Sequence, residues 1–235
     1  MSTYVLVHGA WHGSWCWRWV SELLEQKNHV VVTPTLTGVG EKAHLVSRHI
    51  TLETCIEDVA AVIADNELHD VILVGHSFGG ALISSVAERF PGRIKQLVYL
   101  DAAILENGES MFSRMSDEVV QSRLEQAEKS SNGLTLPIPD AQNLGIESDD
   151  IWANVCKLLS PHPVSTYTSK LTLQCKPGKG FPVVYIQCKQ PEYTPLNWAK
   201  ARAQSYGWPI ITMDTGHDAM ITQPVYLHEI LTEYA

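Results

Sequence analysis

The segment Gly75-His76-Ser77-Phe78-Gly79-Gly80 leaves this chain few folds to choose from. It directly follows Asp70-Val71-Ile72-Leu73-Val74, an unbroken apolar run of the kind that forms a strand buried on both faces. It opens a helical pattern over 80–89 that halts at Phe90-Pro91-Gly92. A strand turning into a helix within so few residues is the building unit of a parallel sheet covered by helices. The rest of the chain keeps that rhythm. Strands are expected over 4–7, 30–33, 94–100, 181–187 and 209–213. Helices are expected over 15–26, 52–66 and 227–234, with Ile56, Val59, Ala60 and Ile63 on one face of the second. The expected architecture is α/β: a mostly parallel central sheet of about six strands, joined by right-handed crossovers, with helices on both faces.

One stretch interrupts the alternation. Residues 104–180 hold helical patterns over 111–129 and 149–159 and a looser part with Pro137, Pro139, Pro161 and Pro163. A structureless loop of that length is disfavoured, so an inserted helical cap is expected. The division is then a core of 1–103 and 181–235 with a cap of 104–180. Hydrophobic residues at 45% and charged residues at 18% suit a globular chain with a substantial core. A formal net charge of −9 repels phosphate backbones and argues against a nucleic-acid partner. The early apolar run from Tyr4 to Val7 is too short to span a membrane, and no basic segment before an apolar one suggests a signal peptide. Cys16, Cys55, Cys156, Cys175 and Cys188 form neither a C-x-x-C pair nor a zinc spacing. They read as buried or half-exposed thiols in a reducing compartment, and a cytoplasmic location is expected.

The chemistry centres on Ser77. A G-x-S-x-G sequence between a strand and a helix is the setting of a nucleophile elbow, where a sharp turn exposes a serine. Neighbours two residues away on either side must be small, hence Gly75 and Gly79. The helix behind the turn offers N–H groups and a positive dipole end to developing negative charge.

With these residues in view, the chain resembles the α/β-hydrolase superfamily, in particular the group of plant methyl esterases, hydroxynitrile lyases and related bacterial esterases. The resemblance spans nearly the whole chain. It rests on Val7-His8-Gly9-Ala10-Trp11-His12-Gly13-Ser14-Trp15, Gly75 to Gly80, Val98-Tyr99-Leu100-Asp101-Ala102 and Gly216-His217-Asp218-Ala219-Met220. It implies that the N–H groups of Ala10 and Phe78 form an oxyanion hole. It also implies that His217, chosen among ten histidines by its place after the last strand, is the base.

The acid is less direct. The family's usual place for it follows the strand over 181–187, but there this chain reads Tyr185-Ile186-Gln187-Cys188-Lys189-Gln190-Pro191, with proline where the aspartate is expected. Glu192 stands one residue out of register. A second family location, after the preceding strand, holds Asp101, which is favoured over Glu192. Asp218, adjacent to His217, is expected to be structural. Trp17 and Trp19 are expected to pack in the core, and Trp11 to line a pocket, with Trp152 a further candidate.

The resemblance implies a serine hydrolase of small, largely apolar carboxylic esters, needing no cofactor or metal. The partners expected are the ester itself and at most a second copy of the chain in a homodimer, with no nucleic acid and no membrane insertion. Two other readings stand beside it. A hydroxynitrile lyase of the plant type has a threonine at the position of Gly9 and a lysine at that of Asp218, and this chain has neither. A ligand receptor on the same fold would bind without turnover.

Overall fold

The computed structural model describes residues 1–233, so Tyr234, the end of the last expected helix, lies outside the described residues. The strands are β1 (Thr3–Val7), β2 (Val30–Val32), β3 (Val71–His76), β4 (Ile94–Leu100), β5 (Thr135–Leu136), β6 (His162–Pro163), β7 (Val183–Cys188) and β8 (Ile210–Met213). Six of them form one sheet in the order β2-β1-β3-β4-β7-β8. Every neighbouring pair in it is parallel. The remaining two, β5 and β6, make a small antiparallel pair.

Burial explains the strand sequences. β3 lies between β1 and β4 and is buried along its whole length, so its run carries no polar alternation. The edge strands β2 and β8 are short, three and four residues, which limits the unpaired backbone they present. The helix Leu52–Asp65 starts at Thr51, whose hydroxyl accepts from the Thr54 N–H while the Thr54 hydroxyl accepts from the Thr51 N–H. Such a reciprocal cap stabilises a helix start by about 1 kcal/mol. Its expected stripe, Ile56, Val59, Ala60 and Ile63, is buried.

The strand order reverses between β1 and β3. The chain steps outward from β1 to β2, returns past β1 to β3, and then proceeds in the other direction to β8. Right-handed crossovers therefore send the helices before and after the reversal to opposite faces. Accordingly Arg18–Gln26 packs with Pro224–Glu233, and Leu52–Asp65 with Gly80–Arg89. The loops leaving the carboxyl ends of β1 and β3 diverge at the reversal, where open α/β sheets bind ligands.

Between β4 and β7 lie the helices Asp117–Ser131, Asp149–Val155 and Val164–Thr168 together with the β5/β6 pair. The first begins later than the pattern over 111–129 predicts. Ser116 caps it by accepting from the Val119 N–H, and the buried Met111 and Phe112 belong to a separate short turn. Asp149–Val155 ends sooner than the pattern over 149–159 predicts. The helix Asn197–Ser205 carries no sequence signal, and it holds Lys200, which reaches Asp101.

Candidate active site

Three loops meet above the carboxyl ends of β1, β3 and β4, and each holds one non-glycine residue in left-handed backbone: Trp11 at φ 66°, Ser77 at φ 51° and Asp101 at φ 41°. Each such residue costs on the order of 1–3 kcal/mol and persists only where its surroundings hold it, as they often do at working sites. The elbow holds Ser77 through close backbone approach. A Cβ on Gly79 would sit 2.8 Å from the Val7 carbonyl oxygen and 2.9 Å from that of His8. A Cβ on Gly75 would meet the Gly79 carbonyl at 2.8 Å. These atoms belong to central strands and to the turn itself, so they cannot yield. Gly79→Ala is therefore expected to lower Tm by about 5 °C or more, read by thermal unfolding. An unchanged Tm would show that the turn tolerates a side chain.

The structure brings Ser77, His217 and Asp101 together. The Ser77 hydroxyl is 2.9 Å from His217 Nε2, and His217 Nδ1 is 2.7 Å from Asp101 Oδ2. A carboxylate can only accept, so Nδ1 carries the proton and Nε2 is free to take the serine's. Asp101 is fully buried. Its second oxygen accepts from the Cys188 N–H at 3.3 Å and lies 3.7 Å from Lys200 Nζ on the helix Asn197–Ser205. Lys200 is itself buried, and it reaches Glu192 at 3.3 Å on its far side. Glu192, the alternative acid, therefore contacts the lysine behind Asp101 and has no contact with the imidazole. Tyr193, one residue further on, lies over the imidazole instead, with ring centroids 4.0 Å apart and planes 18° apart.

Histidines fix the loop after β1. His8 Nδ1–H donates to the Gly9 carbonyl at 2.7 Å, while its Nε2 accepts from the Leu36 N–H at 3.1 Å. Burial pushes this imidazole down to about 4, so it stays neutral in that tautomer. The Gly9–Ala10 peptide is thereby held by its carbonyl, and among the described residues the Ala10 N–H has no acceptor. The Phe78 N–H opens the first turn after the nucleophile, where helical N–H groups lack internal partners. Trp11 is tied to the β5/β6 side. Its N–H donates to His162 Nδ1 at 3.4 Å and its carbonyl accepts from the Ser160 N–H at 2.9 Å.

A second histidine–carboxylate pair lies behind the first. His12 Nε2–H donates to Asp218 Oδ2 at 3.1 Å, and His12 Nδ1–H donates to the Ala10 carbonyl at 2.8 Å. Both side chains are buried. Burial disfavours charge on each, but the mutual attraction outweighs it: the His12 pKa is raised and the Asp218 pKa is lowered. Asp218 is thus structural, as expected, with a partner the sequence did not reveal. His76 adjoins Ser77 in the elbow. It approaches His217, donating from Nε2 to the His217 carbonyl at 3.0 Å. Burial keeps it neutral.

A cavity of about 450 Å³ is lined by Trp11, Tyr193, Leu136, Ile138 and residues of the helix Asp117–Ser131. Trp11 is in its wall, and Trp152 is not. Trp17 is buried, but Trp19 is 45% exposed, a correction to its expected place in the core. The helix Arg18–Gln26 buries Val20 and Leu24, and that leaves Trp19 facing outward. All five cysteines are free thiols; Cys16, Cys55 and Cys188 are buried, Cys156 half-buried and Cys175 exposed. No described helix is long and apolar enough to cross a membrane.

A six-stranded parallel sheet with a serine elbow at its topological reversal defines a class, and the comparisons agree with it. A family model described as the alpha/beta hydrolase family matches residues 4–229, and the chain belongs to that family. Among its relatives is the carbendazim hydrolyzing esterase of Nocardioides sp. (strain SG-4G), 39% identical over 98% of this chain and 98% of that protein. Methylesterase 1 of Arabidopsis thaliana is 26% identical over 99% of this chain and 95% of its own. Among solved structures, an extracellular alpha/beta-hydrolase from a Paenibacillus species superposes with a TM-score of 0.86 at 25% identity, covering 99% of this chain and 98% of that one. It is described as sharing structural and functional homology with tobacco Salicylic Acid Binding Protein 2.

Proposed function

We propose that this chain hydrolyses small, largely apolar carboxylic esters through an acyl-enzyme on Ser77. The observation that carries this reading is the unbroken line from the Ser77 hydroxyl through His217 to Asp101, at 2.9 Å and 2.7 Å. His217 Nε2 takes the serine proton as Oγ bonds to the ester carbonyl carbon. The Ala10 and Phe78 N–H groups receive the resulting oxyanion; losing one such donor costs on the order of 3–4 kcal/mol. The tetrahedral adduct collapses, the C–O bond to the alcohol breaks, and His217 returns the proton to the departing oxygen. Water, deprotonated by the same nitrogen, then releases the acid and restores the serine. The imidazolium formed in each half is stabilised by Asp101.

The cavity supports the size of the substrate, since about 450 Å³ beside Tyr193, which stacks on His217, suits a small ester. Residues 104–180 act as the cap over it, which the helix Asp117–Ser131 in its wall supports. The relatives make carbendazim and methyl esters the first substrates to try. This reading has no nucleic-acid partner and admits a homodimer. The five free thiols support a reducing cytoplasm. Nothing favours the lyase: where the plant type has a threonine and a lysine, this chain has Gly9 and Asp218.

A fluorophosphonate reagent and 4-nitrophenyl acetate test the proposal together. Expected are turnover with a burst of nitrophenol, and one equivalent of phosphonate on Ser77 by peptide mass spectrometry, with activity falling in step. Absence of turnover, or inactivation with the label on another residue, would overturn it.

A further inference from the structure

Arg123 differs from every other arginine in the chain. Arg18, Arg48, Arg89, Arg93, Arg114 and Arg202 each donate to a carboxylate or a backbone carbonyl. Arg123 donates to neither among the described residues, although it is half-buried. Its own helix offers no carboxylate one turn away, because Val119 and Ala127 occupy the positions four residues before and after it. The guanidinium faces the phenols of Tyr167 and Tyr193, and it lines the same cavity as Trp11 and Tyr193. Tyr193 also stacks on His217, so the cavity that Arg123 lines shares a wall residue with the reacting imidazole.

The Tyr193 phenol oxygen is the partner this half-buried guanidinium meets, and one such acceptor leaves most of its flat fork of five donors free. The charge around it decides which kind of acceptor they take. Glu118 and Asp140 line the same cavity and are exposed. They offset the single positive charge without touching it, and the chain carries −9 overall. An anionic ligand would meet two carboxylates for one arginine; a neutral acceptor would meet only the donors. The flat faces of Trp11 and Tyr193 admit a planar group best.

We infer that this cavity takes a neutral ester whose non-reacting end carries a planar hydrogen-bond acceptor, and that Arg123 selects for it. The inference rests on the ester-hydrolysis reading above. Three esters of nearly equal shape test it: methyl 4-acetylbenzoate, methyl 4-isopropylbenzoate and monomethyl terephthalate. Wild type is expected to prefer the acetyl ester over the isopropyl ester by ~10-fold in kcat/KM, mainly through KM, as a hydrogen bond to a charged donor warrants. Arg123→Met should reduce that preference to within ~2-fold at an unchanged Tm, since methionine suits a helix as well as arginine. A preference surviving in Arg123→Met, or a wild-type preference for the terephthalate, would overturn it. So would turnover of 4-nitrophenyl acetate with none of the three esters cleaved. Absence of Ser77-dependent turnover on 4-nitrophenyl acetate overturns the ester reading and this inference with it.

Discussion

Asp101→Asn is expected to lower kcat by about 10⁴ on 4-nitrophenyl esters, approaching the loss from Ser77→Ala, with KM little changed. The reason is a tautomer. Asp101 Oδ2 accepts from His217 Nδ1 at 2.7 Å, which leaves Nε2 unprotonated beside the serine. An asparagine that keeps its oxygen toward the Cys188 N–H and Lys200 turns its NH₂ toward His217. Nδ1 must then accept, Nε2 carries the proton, and the serine has no base. Glu192→Gln removes a charge that touches only Lys200 and is expected to change kcat less than ~3-fold. Steady-state kinetics on the three variants decide the matter. A larger loss at Glu192 than at Asp101 would place the acid on the later loop.

That choice was hard in the sequence for a local reason. Pro191 stands where the family's aspartate is expected, and Glu192 one residue on offers the same chemistry. The packing of β4 against β7 is what supports Asp101. Their pairing sets Leu100 beside Ile186, so the residue after β4 emerges next to the loop that follows β7. The elbow was legible because strand, turn and helix are contiguous in the chain. The central strands were legible because burial on both faces removes polar residues. The sequence pattern over 111–129 starts ahead of the helix Asp117–Ser131 because that helix is polar along most of its length and only Ala127 in it is buried. With no apolar stripe to mark its start, the helix begins where the Ser116 hydroxyl caps it. Tyr193, Lys200 and the partner of Asp218 had no local signature, since each acts on a residue distant in sequence.

The pairing of His12 with Asp218 carries the largest expected effect on stability. Replacing His12 by glutamine leaves the buried Asp218 carboxylate without its cation, and such a loss costs about 3–5 kcal/mol. In a chain of this size that is a fall in Tm of about 10 °C or more. Asp218→Asn should cost less, because an unpaired His12 sheds its proton close to its ordinary value, whereas an unpaired buried carboxylate has to take up a proton well above its own or stay charged in the core. The pH dependence follows from the two shifts. The raised pKa of His12 makes its contribution complete below the ordinary imidazole value of about 6.5, and the contribution is lost as pH rises through the higher folded value. The lowered pKa of Asp218 makes its contribution complete above the ordinary carboxylate value of about 3.9, and it is lost as pH falls through the lower folded value. The stability gap between wild type and His12→Gln should therefore be widest between about pH 4 and 6.5 and narrow on the alkaline side. Urea unfolding across that range measures it. A gap below about 1 kcal/mol, or one indifferent to pH, would show that the pair is not an ion pair. Because His12 also holds the Ala10 carbonyl, the same variant loosens the peptides that present the Ala10 N–H. Its kcat should fall at a temperature where the fold is still intact. Charge pairing behind the site and donor geometry within it thus rest on one imidazole.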